Sequence, residues 1–236
     1  MGQVPETEHS PLLLVGNGRL ARHLGRYLGL EGVPFSTWRR GTVVPFEEVR
    51  DRAERVALLI SDDAIEGFLE RHRDGDRRLW IHCSGSLSTS SAEGAHPLMA
   101  FGPEPYDLHT YRRVPFVCER GRRPFGELFP GLGNPSFAVD PADRALYHAL
   151  CVLAGNGTTL LWRRAFAGFE RLGLPREALL PYLERVAANL AASDDPLTGP
   201  LARGDRRTIE RNLDALCGDP YRAVYRALAD AHLETP

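Results

Sequence analysis

One stretch near the amino terminus constrains the fold more than any other part of the chain. Pro11-Leu12-Leu13-Leu14-Val15 is a short unbroken apolar run that stops at a glycine. Gly16-Asn17-Gly18-Arg19-Leu20-Ala21 follows, with the spacing G-x-G-x-x-A. A continuous apolar run of this length reads as a strand buried on both faces, and Leu20 to Leu30 then reads as a helix. Strand, glycine turn and helix in that order make a phosphate cradle. Gly16 permits the tight turn, and Gly18 lets a pyrophosphate approach the backbone. Ala21 stays small where helix and strand pack, and the helix start at Arg19 and Leu20 faces the phosphate charge. A purely structural glycine turn matches the same letters, so the flanking elements carry the weight.

The same alternation continues. Val33 to Trp38 reads as a second strand and Phe46 to Arg52 as a short helix. Arg55 to Ile60 is another buried strand, followed by a helix from Asp63 to Arg73. Leu79 to His82, Ala95 to Phe101 and Val114 to Cys118 supply further strands. Strands separated by helices imply an α/β architecture, a doubly wound parallel sheet of Rossmann type. After Asp140 the character changes. Pro141-Ala142-Asp143 reads as a helix start, and apolar residues run with few breaks from Ala145 to Leu172. Further helices fit Pro175 to Ala192, Arg207 to Leu216 and Pro220 to Leu233, with a Pro- and Gly-rich loop from Asp194 to Asp205. The reading is therefore two domains: residues 1–140 as a Rossmann-like nucleotide-binding domain, and 141–236 as an all-helical domain of four helices.

The end of the second strand distinguishes between dinucleotides. NAD-binding folds place an acid there, about 20 residues beyond the glycines, to hold the ribose hydroxyls. This chain reads Ser36-Thr37-Trp38-Arg39-Arg40, with no acid before Glu47. Arg39 and Arg40 suit a 2′-phosphate, through charge-assisted hydrogen bonds and stacking on adenine, so the cofactor reading is NADP. Solvated loop arginines are the alternative.

Composition excludes several classes. All 29 basic residues are arginine, against 31 acidic ones, for a net charge of −2. Without lysine the chain cannot form a side-chain Schiff base or a Walker P-loop. The near balance of charge gives no reason to expect nucleic acid as a partner, and no apolar run approaches the ~20 residues that span a bilayer. The polar start MGQVPETEHS lacks the pattern of a signal peptide. Cys83, Cys118, Cys151 and Cys217 are far apart and read as free thiols of a cytoplasmic protein. His82, Cys83, His96 and His148 match no compact zinc spacing, so no metal is expected.

Four further segments follow one another in the same order as in the Rossmann-like DUF2520 proteins: Ser61-Asp62-Asp63-Ala64-Ile65, His82-Cys83-Ser84-Gly85, Ala95-His96-Pro97-Leu98 and Tyr147-His148. Asn156 and the long motif Leu197-Thr198-Gly199-Pro200-Leu201-Ala202-Arg203-Gly204-Asp205 complete the match. The chain resembles that family from about residue 11 onward. The family is similar to NADP-dependent dehydrogenases with a helical second domain, a group that includes β-hydroxyacid and 6-phosphogluconate dehydrogenases, ketopantoate reductase and pyrroline-5-carboxylate reductase. The resemblance implies redox activity and a homodimer formed through the helical domain; the substrate read with it is a small, anionic metabolite. It also adds Ser61 and Asp62 to the cofactor-binding residues. A catalytically silent NADP-binding sensor is the alternative.

Hydride transfer needs an acid or base for the accompanying proton. In the β-hydroxyacid dehydrogenases a lysine serves, with an asparagine one turn later. The resemblance places Arg144 and His148 at those positions, four residues apart on one helix face. Arginine stays charged and suits a substrate carboxylate, so the proton falls to His148. A core histidine bonded to a carbonyl is an equal reading of His148. Ser84 and Gly85 follow the fourth strand at the sheet edge where ligands bind, and read equally as substrate contacts or a plain turn. His96 reads as a cleft residue or a turn former. Asn156, roughly 12 Å from His148 along an ideal helix, is a further candidate substrate contact in the same groove.

Overall fold

The structure is a computed structural model that describes residues 12–73, 75 and 77–234. Pro11 and the polar amino-terminal segment lie outside the described residues. The described chain clusters into two compact units that divide between Leu161 and Trp162.

The first unit is built on seven strands: β1 (Leu12–Val15), β2 (Ser36–Trp38), β3 (Arg55–Leu58), β4 (Leu79–His82), β5 (Glu93–Pro97), β6 (Phe116–Glu119) and β7 (Ser136–Val139). They form one sheet in the order β2-β1-β3-β4-β5-β6-β7. Alternate residues of β1 face opposite ways, as the pleat requires. Leu12 and Leu14 enter one apolar cluster with Ala57 and Ile81, while Leu13 and Val15 enter another with Val56, Leu58 and Trp80. Both faces are therefore covered, which is why β1 and β3 read as unbroken apolar runs.

Helix α1 (Arg19–Glu31) covers the first face through Leu24, Tyr27 and Leu28. The short α2 (Phe46–Arg50) and α3 (Asp62–His72) cover the other through Phe46, Ile65, Phe68 and Leu69. The sheet departs from the expected all-parallel form in one place. β1 to β5 run parallel, but β6 pairs antiparallel with β5 and carries β7 parallel to itself. The link from β5 to β6 holds only the five-residue α4 (Leu108–Arg112). The chain re-enters the sheet from the end it left. Two further elements escape the sequence reading. α5 (Phe125–Leu128) has four residues, and β7 is largely exposed, so neither shows a periodicity.

From Arg144 onward every regular element is helical. α6 (Arg144–Val152) continues through a π-helical segment, Leu153–Gly157, into α7 (Thr158–Arg171). α8 (Leu180–Ala192), α9 (Gly199–Ala202), α10 (Arg206–Ala215) and α11 (Tyr221–Glu234) follow. The four expected helices are thus six: Gly155 and Gly157 relax the long apolar run, and Gly199-Pro200 starts a single turn inside the expected loop. α6 clusters with the sheet, and the units divide after Leu161, 21 residues beyond the composition change at Asp140. The second unit, from Trp162, has a small core of Ile209, Leu213 and Ala229. Asp205, the last residue of the long family motif, caps α10 by accepting the Thr208 N–H at 3.1 Å. Asp219 pairs with Arg164 and Arg171. Among the described residues no helix is long and apolar enough to cross a membrane.

Candidate functional site

The chain leaves β1 for β2 on one side and later returns to β3 on the other. A crevice opens at such a switch point, beyond the carboxyl ends of the strands. The Gly16 N–H donates to the Trp38 carbonyl at 2.8 Å, and the Leu59 N–H donates to the Val15 carbonyl at 2.8 Å. Gly16 has φ +136°, and a side chain there would strike the Leu59 carbonyl oxygen, so only glycine fits. Gly18, the N-cap of α1, has nothing within 4 Å of the position a Cβ would take. No side chain caps α1 among the described residues, and its first turn holds no acid. Its amino-terminal N–H groups are left to solvent or to an anion.

A cavity of about 830 Å³ occupies this crevice, within the size range of cofactor sites. Gly16, Asn17, Gly18, Arg19 and Leu20 line one wall. Arg39 and Arg40 stand at the end of β2, Ser61 and Asp62 at the start of α3, and Ser84 beyond β4. Every cofactor residue read from the sequence lines it except Ala21, which is buried beneath in the core. A turn in which the Thr42 N–H donates to the Arg39 carbonyl holds the two exposed arginines at the rim. Trp38, Arg71 and His72 also line the cavity, and sequence reasoning missed them. Arg71 and His72 close the last turn of α3, and only the fold brings that turn to the crevice.

Beyond Ser84 the loop to Leu87 is held from three sides. The Ser84 hydroxyl donates to Asp62 Oδ2 at 2.6 Å and accepts the Leu87 N–H at 3.0 Å and the Ser86 N–H at 3.3 Å. The Ser86 hydroxyl reaches the same carboxylate oxygen at 3.1 Å. Arg144, only 1% exposed, donates from Nε to the Leu87 carbonyl at 2.8 Å and from Nη2 to the Ser84 carbonyl. The side chains of Ser84 and Arg144 are thus engaged in shaping the loop.

Arg144 reaches that position because the sheet leaves it a slot. His82 and Gly94 are partners across β4 and β5, and the pairing of Ala95 with Cys118 sets Glu119 beside Gly94. A Cβ on Gly94 would lie 3.2 Å from the Arg144 guanidinium carbon and from Glu119 Oε1. The guanidinium therefore lies over bare backbone. Glu119, itself buried, stands 3.6 Å from both Arg144 Nε and Arg122 Nη1. Both nitrogens of the buried His82 lack a hydrogen-bond partner among the described residues, as does Arg144 Nη1. Burial, with Arg144 and Arg122 adding to it against Asp62, pushes the His82 pKa down to about 4.

One turn beyond Arg144, the His148 imidazole packs directly on Gly85, where a Cβ would overlap the ring. His96 lies alongside, with ring centroids 6.0 Å apart and planes perpendicular. His96 Nδ1 shares a hydrogen bond of 2.7 Å with the Tyr147 hydroxyl. Tyr147 belongs to the Tyr147-His148 motif but was not read as a site residue. Gly85, His96, Arg144 and His148 are thus one cluster joined to the cavity through Ser84. Asn156 stands exposed in the π segment and is not among the cavity's lining residues. Among the described residues no three His, Cys, Asp or Glu side chains are grouped to hold a metal.

The sheet order, the switch-point crevice and the glycine turn define a Rossmann-like α/β protein followed by a helical region. Residues 118–232 match the family model described as "Domain of unknown function (DUF2520)", which bears out the resemblance drawn from the motifs. No curated protein matches the chain. Among solved structures it is similar to BF3122 of Bacteroides fragilis, assigned as an NADP oxidoreductase. That match has 21% identity and a TM-score of 0.76, covering 97% of this chain and 99% of that one. It is also similar to protein TM1727 of Thermotoga maritima, with 20% identity, TM-score 0.64, and coverage of 94% and 97%. Pyrroline carboxylate reductase of Plasmodium falciparum, solved with NADP bound, matches at 12% identity, TM-score 0.59, and coverage of 96% and 97%. At such identities the likeness establishes a shared fold.

Proposed function

We propose that the protein is an NADP-dependent oxidoreductase acting on a small metabolite. The observation that carries this reading is the 830 Å³ switch-point cavity, which joins an uncapped α1 start, bare Gly18 and two rim arginines in one space. These features fit a dinucleotide diphosphate at Gly16–Leu20 and a 2′-phosphate at Arg39 and Arg40. The Plasmodium reductase of the same fold, solved with NADP, supports the choice of cofactor.

When bound, NADP supplies or accepts a hydride; the remaining work belongs to the chain. Asp62 and Arg144 hold the Ser84–Leu87 loop rigid, and Gly85 seats the His148 ring. His148 gives or takes the proton that accompanies hydride transfer, while His96 faces the same space. Ser84 and Arg144 act by shaping that space. The sequence expectation of an anionic substrate rested on those two side chains. With the Ser84 hydroxyl and Arg144 Nε and Nη2 engaged within the chain, the reading no longer requires a negative charge.

Fluorescence titration with NADPH and NADH tests the proposal. NADPH should bind more tightly, and Arg39→Ala with Arg40→Ala should weaken NADPH by about tenfold or more, given the ~1.5–3 kcal/mol of a charge-assisted hydrogen bond. Tighter binding of NADH, or no binding of either, refutes the reading. A screen of keto acids and imines with NADPH, read by absorbance loss, then identifies the substrate.

A further inference from the structure

We propose that Tyr147 is a positioning residue that holds His96 as the neutral imidazole protonated at Nε2, presenting a fixed hydrogen-bond donor beside His148. The role of that donor rests on the redox reading above; the proton arrangement itself does not.

The argument begins with spacing. Arg144, Tyr147 and Cys151 recur at intervals of three and four residues and share one face of α6. The Tyr147 hydroxyl lies 2.7 Å from His96 Nδ1. A phenol is a good donor and an imidazole nitrogen a good acceptor, whereas the thiol of Cys151, one turn further along α6, is weak in both roles. The favoured arrangement therefore runs from the Tyr147 O–H to His96 Nδ1. With Nδ1 accepting, the ring proton sits on Nε2.

The surroundings keep His96 neutral. Burial disfavours the imidazolium most, and His148 and Arg144 on α6 disfavour it further. Asp62 on α3 favours it, but the balance pushes the pKa down to about 4. Protonation would also place an N–H on Nδ1 and displace the Tyr147 O–H from it. A neutral imidazole of fixed tautomer can polarise a carbonyl or imine without giving up its proton. His96 and His148 would then divide the work, one donating a hydrogen bond and the other transferring the proton. This separates the roles of two adjacent histidines by their partners: His96 has a phenol on Nδ1, and His148 rests on the backbone of Gly85.

Long-range proton–nitrogen correlation on ¹⁵N-labelled full-length protein reads the tautomer directly, with the His96→Gln spectrum assigning the ring. From about pH 5 to 8, His96 should show an unprotonated Nδ1 and a protonated Nε2. Tyr147→Phe should turn this into a mixture of tautomers, while Cys151→Ala, which leaves the phenol and the imidazole in place, should preserve it. A wild-type ring protonated at Nδ1, an unchanged spectrum in Tyr147→Phe, or loss of the single tautomer in Cys151→Ala overturns the proposal. NADPH titration of the same samples keeps the two readings apart. Failure to bind NADPH removes the redox reading alone, and the wrong tautomer removes the Tyr147 role alone.

Discussion

The buried contact between Arg144 and Glu119 permits a quantitative test of how the site is held. Replacing Arg144 with Met removes the donors to the Ser84 and Leu87 carbonyls and leaves Glu119, buried to 1% exposure, facing only Arg122 at 3.6 Å. At 3.6 Å two unit charges interact by about 4–5 kcal/mol for an effective dielectric near 20, before desolvation is counted. Breaking such a pair from one side typically costs about 3–5 kcal/mol, a large share of the ~5–15 kcal/mol that holds a domain. With a urea slope near 2 kcal/mol/M this is a midpoint shift of about 1.5–2.5 M. The assay is urea unfolding followed by the emission of Trp80 and Trp38, which belong to the neighbouring apolar cluster of the first unit. A Trp162→Phe background removes the tryptophan of the second unit. Glu119→Gln in the Arg144→Met background should recover about 1–3 kcal/mol, because it deletes a buried charge left with Arg122 as its one remaining counter-charge. A single-variant loss below about 1 kcal/mol, or a double variant whose effects simply add, would refute the claim that this pair anchors α6 to the sheet.

Two further predictions follow from the same cluster. Gly85→Ala places a methyl group where the His148 ring now sits; the ring can rotate away, so stability should fall by only about 1 kcal/mol. Turnover should drop sharply with NADPH affinity unchanged, and steady-state kinetics showing an unaltered rate would remove His148 from the chemistry. Stability should also depend on pH through His82 and His96, both pushed from 6.5 down to about 4 mainly by burial. Above pH 6.5 both are neutral, folded or unfolded, and stability is at its full value. As pH falls from 6.5 to 4 the unfolded chain takes up protons that the native state refuses, so stability declines, by about 2–3 kcal/mol for each histidine. Urea midpoints that stay flat across this window would contradict the buried, neutral state of both rings.

Much of the first unit was legible because its physical causes are local. β1, β3 and β4 announce themselves as apolar runs because both faces of the sheet are covered, and the glycine turn is a property of six adjacent residues. β7 was not legible, since an exposed edge strand carries no alternation. Nor was the reversal at β6, which depends on the end of the sheet at which the chain re-enters and not on any local pattern. The candidate site divides along the same line. Gly16, Gly18, Arg39 and Arg40 could be read from spacing alone. The role of Arg144 could not, because its partners are carbonyls some sixty residues away and a slot over Gly94.

The sequence by itself determined the glycine turn after β1, the family signature and the arginine pair that ends β2, because each depends on residues adjacent in the chain. The tertiary structure decided which polar side chains remain free to act. Arg144 and Ser84 carry the right chemistry for a substrate, yet folding commits their hydrogen bonds to one loop. His96 and His148 emerge side by side, each set by a different neighbour. Side-chain type states what a residue can donate; only the packed fold states what has already been taken.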